Sequence, residues 1–265
     1  SYEAAINFLA IGMDIEKSTF WIQHDVIEVL ELYWILSNHT SMGLLERAHS
    51  YKDKTSRGIS ASHGLFSYPV LMAADILLFD SNIVPVGKDQ IQHVEMTRDI
   101  AISFNHAYKK DIFVLPTAKV DENVATVLGT DGAKMSKSYN NTIDMFTTPK
   151  ERKKQVMKIV TDSKELDEPK EWENCNIYNI SKLFMSIDEL KNLQKRYETP
   201  GEGYGHFKLT LLEKIEEYFK PYEEKRAKLL ENPKEVRDIL EFGASKARKI
   251  ASEKIREIRD IVGLI

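Results

Sequence analysis

Apolar residues in the first half of the chain follow two spacings, one typical of helices and one typical of strands. Helical spacing predicts helices over 26–38, 68–79 and 91–108. The short run NIVPVG at 82–87 has the length and β-branched content of a strand. Helices that alternate with strands predict an α/β fold with a parallel sheet covered on both faces. Other short strands are predicted at 18–23, 111–116 and 122–129.

The spacing of apolar residues becomes almost entirely helical in the second half of the chain. Turn signals such as DEPKEW and TPGEGYG interrupt it. We therefore predict an α/β domain over residues 1–148 and an all-helical domain over 149–265. The predicted helices of the second domain are 149–160, 177–197, 207–230, 234–241 and 243–262.

Composition excludes several classes of protein. The chain has 265 residues, 42% of them hydrophobic, which is enough for a sizeable core, and a formal net charge of −4 argues against non-specific coating of nucleic acid. One cysteine, Cys175, forms no internal disulfide and makes a structural zinc site improbable. No apolar run approaches the ~18 residues of a membrane span. We expect a soluble cytoplasmic protein with no membrane and no DNA as partner.

The segment GAKMSKSYNN at 132–141 concentrates positive charge in a polar loop. Its glycine, serine and asparagine content predicts a mobile loop, in which Lys134 and Lys137 can converge on one polyphosphate. Ser136 and Ser138 add hydroxyl and backbone N–H donors for the same anion. The alternative is a solvated basic turn, which is the usual explanation for two lysines three residues apart.

One face of the predicted helix 68–79 places a carboxylate among apolar side chains. Tyr68, Met72, Asp75, Ile76 and Phe79 follow at i, i+4, i+7, i+8 and i+11. An ionised carboxylate on such a face is costly unless a group donates to it. Indole is a large aromatic ring with one N–H donor and no acceptor, so it fits this face. The alternative is a core stripe that contains one acid.

Polar residues follow the predicted strand at 82–87, whose Val84 and Val86 alternate and can form the wall of a ring pocket. The carboxyl ends of strands in open α/β sheets are where ligands bind. There Gly87 permits close approach of a nucleotide, Asp89 can accept from a ribose hydroxyl, and Gln90 has a donor and an acceptor for an amino acid head group.

The five letters KMSKS at 134–138 resemble the second signature of class I aminoacyl-tRNA synthetases. A chance match is expected about once per million positions from average composition. In that family the lysines stabilise the pyrophosphate that leaves when the amino acid carboxylate attacks the α-phosphate of ATP. The resemblance implies a Rossmann-like catalytic domain over 1–148 and an anticodon-binding type of helical domain over 149–265. Lys54, in YKDK, matches another phosphate-binding lysine, although a surface charge is its simpler explanation.

Residues 67–93 closely resemble bacterial tryptophanyl-tRNA synthetases. The resemblance implies that Asp75 accepts the indole N–H and that Tyr68 and Gln90 hold the α-amino group. Lys88 departs from the family, which is often acidic there. By the same resemblance the pocket is shaped by Met72, Ile76, Val84 and Val86. The implied ATP contacts are Gly87, Lys88, Asp89, Ala125, Lys134, Met135, Ser136, Lys137 and Ser138.

The first signature of class I enzymes, a HIGH-like loop after an initial strand, does not occur in these 265 residues. We therefore expect this sequence to be the remainder of a longer protein, without the amino-terminal part of the Rossmann-like domain. Because half of the ATP site is then absent, we expect the 1–265 chain alone to be inactive.

The implied function is ATP-dependent activation of tryptophan and its transfer to tRNA(Trp) through tryptophanyl-adenylate. Mg²⁺ is expected to accompany ATP, with no dedicated metal site in the protein. A homodimer is expected, and helix 26–38 is a candidate for its interface, as residues 243–258 are for tRNA phosphates. One alternative is a tyrosyl-type enzyme, which Met72 disfavours because tyrosyl enzymes tend to carry glutamine there. The other is a non-catalytic fragment or paralogue that binds tRNA or protein.

Overall fold

The computed structural model describes residues 1–56, 58, 60–120 and 127–265, without the side chains of Ser50 and Lys54. These residues are mostly helical and include one small parallel sheet. No helix among them is both long and apolar enough to cross a membrane. In chain order the α-helices are α1 (Tyr2–Ala10), α2 (Glu28–Ser37), α3 (Met42–Glu46), α4 (His49–Ser56), α5 (His63–Leu77), α6 (Ile91–Tyr108), α7 (Pro149–Met157), α8 (Asn176–Ser181), α9 (Ile187–Glu198), α10 (Tyr204–Glu231) and α11 (Pro233–Val262).

The chain divides into two compact units. The first unit consists of Ser1–Tyr2, Met13–Asn123 and Asn232–Ile265, and the second of Glu3–Gly12 and Val124–Glu231. These limits differ from the predicted division at residue 148, which stays a prediction about functional domains. The reason for the difference is that α11 belongs to the hydrophobic core of the first unit.

The core of the first unit lies among α2, α5, α6 and α11, which contribute the apolar faces that the sequence pattern predicts. Ser62 begins α5 by accepting a hydrogen bond from the Leu65 N–H at 3.1 Å, a typical N-cap. From α11, small residues enter the core and allow the helix to approach closely. The fully buried members of this core include Leu32, Leu36, Ala73, Ala74, Leu77, Ile100, Phe104, Ala251 and Ile258.

The sheet consists of β1 (Ile83–Pro85) and β2 (Thr117–Lys119), which pair in parallel with Val84 opposite Ala118. The strand predicted at 82–87 is therefore confirmed. The strand predicted at 111–116 is wrong. The Asn105 side chain accepts from the N–H groups of Ile112 and Phe113 at 3.1 and 3.0 Å, so these backbone groups are not free for a ladder.

Two other predicted strands have different outcomes. Residues 18–23 form no strand within the described chain; a short 3-10 helix, Gln23–Asp25, begins at their end. The prediction at 122–129 lies mostly outside the described residues, and Leu128 makes a single antiparallel bridge with Lys134.

The second unit packs α7, α8, α9 and α10 around one aromatic core. Tyr197 and Phe207 stack in its centre with ring centroids 4.0 Å apart. Ser186 and Glu189 form a capping box that begins α9 and separates it from α8. For this reason the single helix predicted over 177–197 is two helices. The two helices predicted over 234–241 and 243–262 are one, α11.

Candidate active site

Asp75 lies on the face of α5 predicted for it and is half-buried. The Gln23 side-chain amide donates to both of its carboxylate oxygens, at 2.8 and 2.7 Å. Burial raises the pKa of the Asp75 carboxyl, and the hydrogen bond from Gln23 acts in the opposite direction. The carboxylate therefore has the donor that its apolar surroundings require, and it keeps lone pairs for a second donor.

Tyr68, two helical turns before Asp75 on α5, has a buried partner. Its hydroxyl lies 2.6 Å from Nε2 of His93, which is on α6 and only 2% exposed. Burial lowers the pKa of His93, which favours the neutral imidazole. In the tautomer that leaves Nε2 unprotonated, the His93 ring accepts a hydrogen bond from the Tyr68 hydroxyl, and the lone pairs of the Tyr68 oxygen are then available to a cationic ligand.

The end of β1 leads into a short 3-10 helix, Lys88–Gln90, directly before α6. A Cβ on Gly87 would lie 2.7 Å from Oδ1 of Asp89, so glycine permits this approach of side chain to backbone. The Gln90 amide donates to Asp89 Oδ2 at 2.9 Å. Gln90 precedes His93 by about one helical turn, and His93 is the residue that contacts the Tyr68 hydroxyl.

The four apolar residues predicted to shape the pocket are also in the first unit. Ile76 is buried on α5, and Met72 is half-buried on the same helix. Val84 and Val86 are half-buried at β1 and directly after it. Val86 is held by the bond from its N–H to the Lys119 carbonyl at 3.0 Å.

The KMSKS loop, residues 134–138, begins at the base of a tight hairpin in the second unit. Gly129 N–H donates to the Ala133 carbonyl at 2.7 Å, and Met135 N–H donates to the Val127 carbonyl at 2.9 Å. The predicted mobile loop is thus extensively hydrogen-bonded in this structure. Lys134 and Lys137 are exposed, and no described residue forms an ion pair with either.

The second half of the loop is a 3-10 turn, Lys137–Tyr139. Ser136 Oγ accepts from the Ser138 N–H at 3.3 Å, and Asn140 ends the turn in the left-handed conformation with φ 52°. Asparagine tolerates this conformation better than most residues. The turn places the exposed Lys137 amine one residue after the cap.

Two predicted site residues lie outside what the structure describes. These are Ala125 and the side chain of Lys54. Within the described chain, no three His, Cys, Asp or Glu side chains are grouped so that they can hold a metal ion.

Sequence reasoning missed three polar residues that support the predicted ones. Gln23 contacts Asp75 across 52 positions in sequence, which no local pattern reveals. His93 stands three residues after Gln90, and this helical spacing was the available signal. Asn141 closes the KMSKS loop from within and looks like an ordinary loop residue in the sequence.

Comparison with known proteins gives consistent matches. The family described as tRNA synthetases class I (W and Y) matches residues 1–220. The tryptophan–tRNA ligase of Campylobacter jejuni (strain RM1221) is 62% identical over 264 residues, which cover 100% of this chain and 82% of that protein. The tryptophan–tRNA ligase of Fusobacterium nucleatum is 53% identical over 265 residues, covering 100% of this chain and 81% of that protein.

Solved structures agree with the sequence matches. The crystal structure of tryptophanyl-tRNA synthetase from Campylobacter jejuni complexed with ADP and tryptophan superimposes with a TM-score of 0.96 at 62% identity. The match covers 99% of this chain and 82% of that one. The fold described above is therefore that of a known family of enzymes.

Proposed function

This chain belongs to the class I tRNA synthetases of the tryptophan and tyrosine group, and from that premise we propose what its site residues do. Its function is the ATP-dependent activation of tryptophan and its transfer to tRNA(Trp). The observation that carries the choice of amino acid is Asp75, a half-buried carboxylate on an apolar helix face. Met72 on the same face counts against a tyrosyl-type enzyme.

Recognition of the indole ring rests on one hydrogen bond. The Asp75 carboxylate accepts the indole N–H, while Gln23 holds it in place through both oxygens. A site built around a buried hydrogen bond rejects an analogue without the donor by about 10⁴-fold or more. The ring packs against the apolar side chains of Met72, Ile76, Val84 and Val86.

The α-amino group of tryptophan is held at the other end of the pocket. Tyr68 donates a hydrogen bond to Nε2 of His93 and offers its oxygen to the substrate ammonium. Gln90 contributes its amide oxygen. These contacts leave the substrate carboxylate free to attack the α-phosphate of ATP.

Activation requires that charge on the departing pyrophosphate be neutralised. Lys134 and Lys137 supply two exposed ammonium groups without an ion-pair partner in the described chain, and preorganised cations lower the barrier. The neighbouring residues Met135, Ser136 and Ser138 are assigned as further ATP contacts. We assign Lys54 to the same phosphates.

The nucleoside half of ATP is assigned to the carboxyl end of β1 and its continuation. Gly87 allows the close approach, Lys88 contributes its backbone, and Asp89 accepts from a ribose hydroxyl. Ala125 belongs to the same assignment. Mg²⁺ enters with ATP, and no described cluster of side chains is grouped to bind the ion independently.

Part of the basic segment 243–258 is occupied within the first unit. Arg248 donates to the Asp25 carbonyl at 2.8 Å, and Lys254 lies 3.0 Å from Asp80. Lys246, Lys249 and Arg256 are exposed, with no ion-pair partner among the described residues, and they are the cations of this segment proposed to contact tRNA phosphates.

A second copy of the chain is proposed to cover α2. Ile27, Leu30 and Trp34 follow at i, i+3 and i+7 and are 70%, 56% and 67% exposed. Such a stripe on a soluble chain is typical of an interface. The enzyme is proposed to act in the cytoplasm, where tRNA is charged.

The assignment of Asp75 is tested by Asp75→Ala in the protein expressed from its complete reading frame, with pyrophosphate exchange as the assay. In this variant we expect the KM for tryptophan to rise by about 100-fold, because a hydrogen bond to a charged group contributes about 1.5–3 kcal/mol. The KM for ATP stays within about twofold. Equal increases in both constants, or exchange that tyrosine supports as well as tryptophan, would reject the assignment.

A further inference from the structure

Asn141 is a buried polar residue next to the KMSKS loop, with no role in the function proposed so far. Its side chain belongs to a residue only 2% exposed, three positions after the signature. Its Oδ1 accepts the N–H of Ser136 at 2.8 Å. Its Nδ2 donates to the carbonyl of Lys134 at 3.1 Å. One amide therefore bridges two backbone groups that flank Met135.

The orientation of this amide is fixed by Asp131. Asn141 Nδ2 also donates to Asp131 Oδ1 at 2.8 Å, and the same oxygen accepts the Ala133 N–H at 3.0 Å. The bond from Asn141 is the main reason that the pKa of Asp131 lies below its ordinary value. An ionised carboxylate only accepts hydrogen bonds, so the amide nitrogen must face Asp131 and the amide oxygen must face Ser136.

The surroundings leave Asn141 no other position. A Cβ on Gly129 would overlap the Asn141 amide, so glycine is required beside it. The Gly129 carbonyl accepts from the Asn176 side chain at 2.7 Å, and the Thr130 N–H donates to the Asn141 carbonyl at 2.8 Å. The hairpin and the KMSKS loop are therefore joined through one side chain.

We infer that Asn141 is a positioning residue for adenylate formation. By holding the Lys134 carbonyl and the Ser136 N–H in one bend, it sets where Lys134 and Lys137 present their ammonium groups to the pyrophosphate. The inference rests on the proposed role of the two lysines and deepens it. Asn141 itself touches no substrate.

The first test is Asn141→Ala in the protein expressed from its complete reading frame. The expected kcat of tryptophan-dependent pyrophosphate exchange falls by about 10- to 100-fold, because misplaced cations stabilise the transition state poorly. The KM for tryptophan stays within about twofold, since the Asn141 side chain bonds to Asp131, Lys134 and Ser136, none of which is assigned to the tryptophan pocket. The matched control is Asn140→Gly, which removes an exposed amide one residue away and keeps the left-handed backbone. Its kcat stays at the wild-type value.

The second test exchanges donor and acceptor between two positions. Asn141→Asp keeps an acceptor for Ser136 but sets a second carboxylate against Asp131, so its kcat falls at least as far as that of the alanine variant. Adding Asp131→Asn restores a donor between the two side chains and is expected to recover about tenfold in kcat. A merely structural defect would not be repaired by a second substitution that also removes a native group.

Three results would overturn the inference. The first is a kcat for Asn141→Ala within twofold of wild type. The second is a parallel loss of tryptophan binding, measured calorimetrically without ATP, which would indicate general damage to the fold. The third is a double variant no more active than Asn141→Asp. Absence of tryptophan-dependent exchange in the wild-type protein would instead reject the proposed function.

Discussion

The Asp75 carboxylate is kept in an unfavourable environment and is held there by a single amide. Burial raises its pKa, so the folded protein is less stable with this group ionised than with it protonated. Gln23 offsets part of that cost by donating to both oxygens. A carboxylate that lowers stability yet is fixed in orientation is typical of a binding residue, because the free energy lost on folding is recovered when a ligand donates to it.

Asp75→Asn separates the two effects, because the amide has the shape of the carboxylate without its charge. At pH 7 the variant is expected to melt at a higher temperature than wild type and to bind tryptophan about tenfold more weakly. The native carboxyl has the raised pKa, so its cost to stability grows as pH rises above the unfolded value of about 3.9. That cost stops growing above the raised native pKa, so the difference in melting temperature is larger at pH 7 than at pH 4.

Thermal unfolding at the two pH values measures this difference, with Asp167→Asn as the control for loss of an exposed carboxylate. A variant that is less stable than wild type at pH 7 would contradict the sign of the effect.

At the scale of elements, α11 runs without a break through Gly243. The glycine lies directly against the Phe20 carbonyl, where a Cβ would overlap the backbone. The sequence pattern predicts two helices here, 234–241 and 243–262. The contact shows instead that glycine is there for close approach of the segment before Gln23, and Gln23 is the residue that holds Asp75.

Gly243→Ala is expected to destabilise the protein by about 1–3 kcal/mol, because the backbone of Phe20 must move. Urea unfolding measures the change. The matched control is Gly205→Ala on α10, where an added Cβ meets nothing within 4 Å and stability stays equal or rises by up to about 1 kcal/mol. Equal effects of the two substitutions would show that the approach to Phe20 is unimportant.

Elements that depend on local pattern could be predicted from the sequence. The periodicity that placed Asp75 among apolar residues on a helix reflects burial directly, and β1 follows from a β-branched run. The predicted strand at 111–116 failed because a side chain, Asn105, takes the backbone N–H groups that a ladder needs. Similarly, polar composition suggested a mobile KMSKS loop, whereas Asn141 supplies its hydrogen bonds from within.

At the scale of the whole molecule, the comparisons confirm the predicted family and function. A local signature such as KMSKS can be recognised in the sequence without knowledge of the fold. The supporting contacts could not be predicted in this way. Gln23 reaches Asp75 across 52 positions, and such pairs are set by packing of distant segments. The roles assigned to individual site residues remain predictions.

The proposed association of two copies through α2 also concerns the whole molecule. Trp34→Glu combined with Leu30→Glu places two charges in the exposed apolar stripe. We expect the dissociation constant of the dimer to rise by more than 100-fold. Sedimentation equilibrium measures the dissociation constant. As a control, Phe242→Glu changes an exposed apolar residue outside α2 and is expected to leave the dissociation constant unchanged. A monomeric wild-type protein would refute the proposed interface.

The place of α11 in the first unit bears on how the protein is made. Glu31 on α2 pairs with Arg259 of α11, near the end of the chain. The core that contains the buried face of α2 also contains Ala251, Ile255 and Ile258 of α11. All of the second unit leaves the ribosome before Asn232 does. Its helices are therefore free to fold during translation. The first unit cannot complete its core until α11, at the end of the chain, has been synthesised. A premature stop codon before Asn232 would leave the core residues that pack against α11 exposed, and the truncated protein is expected to aggregate.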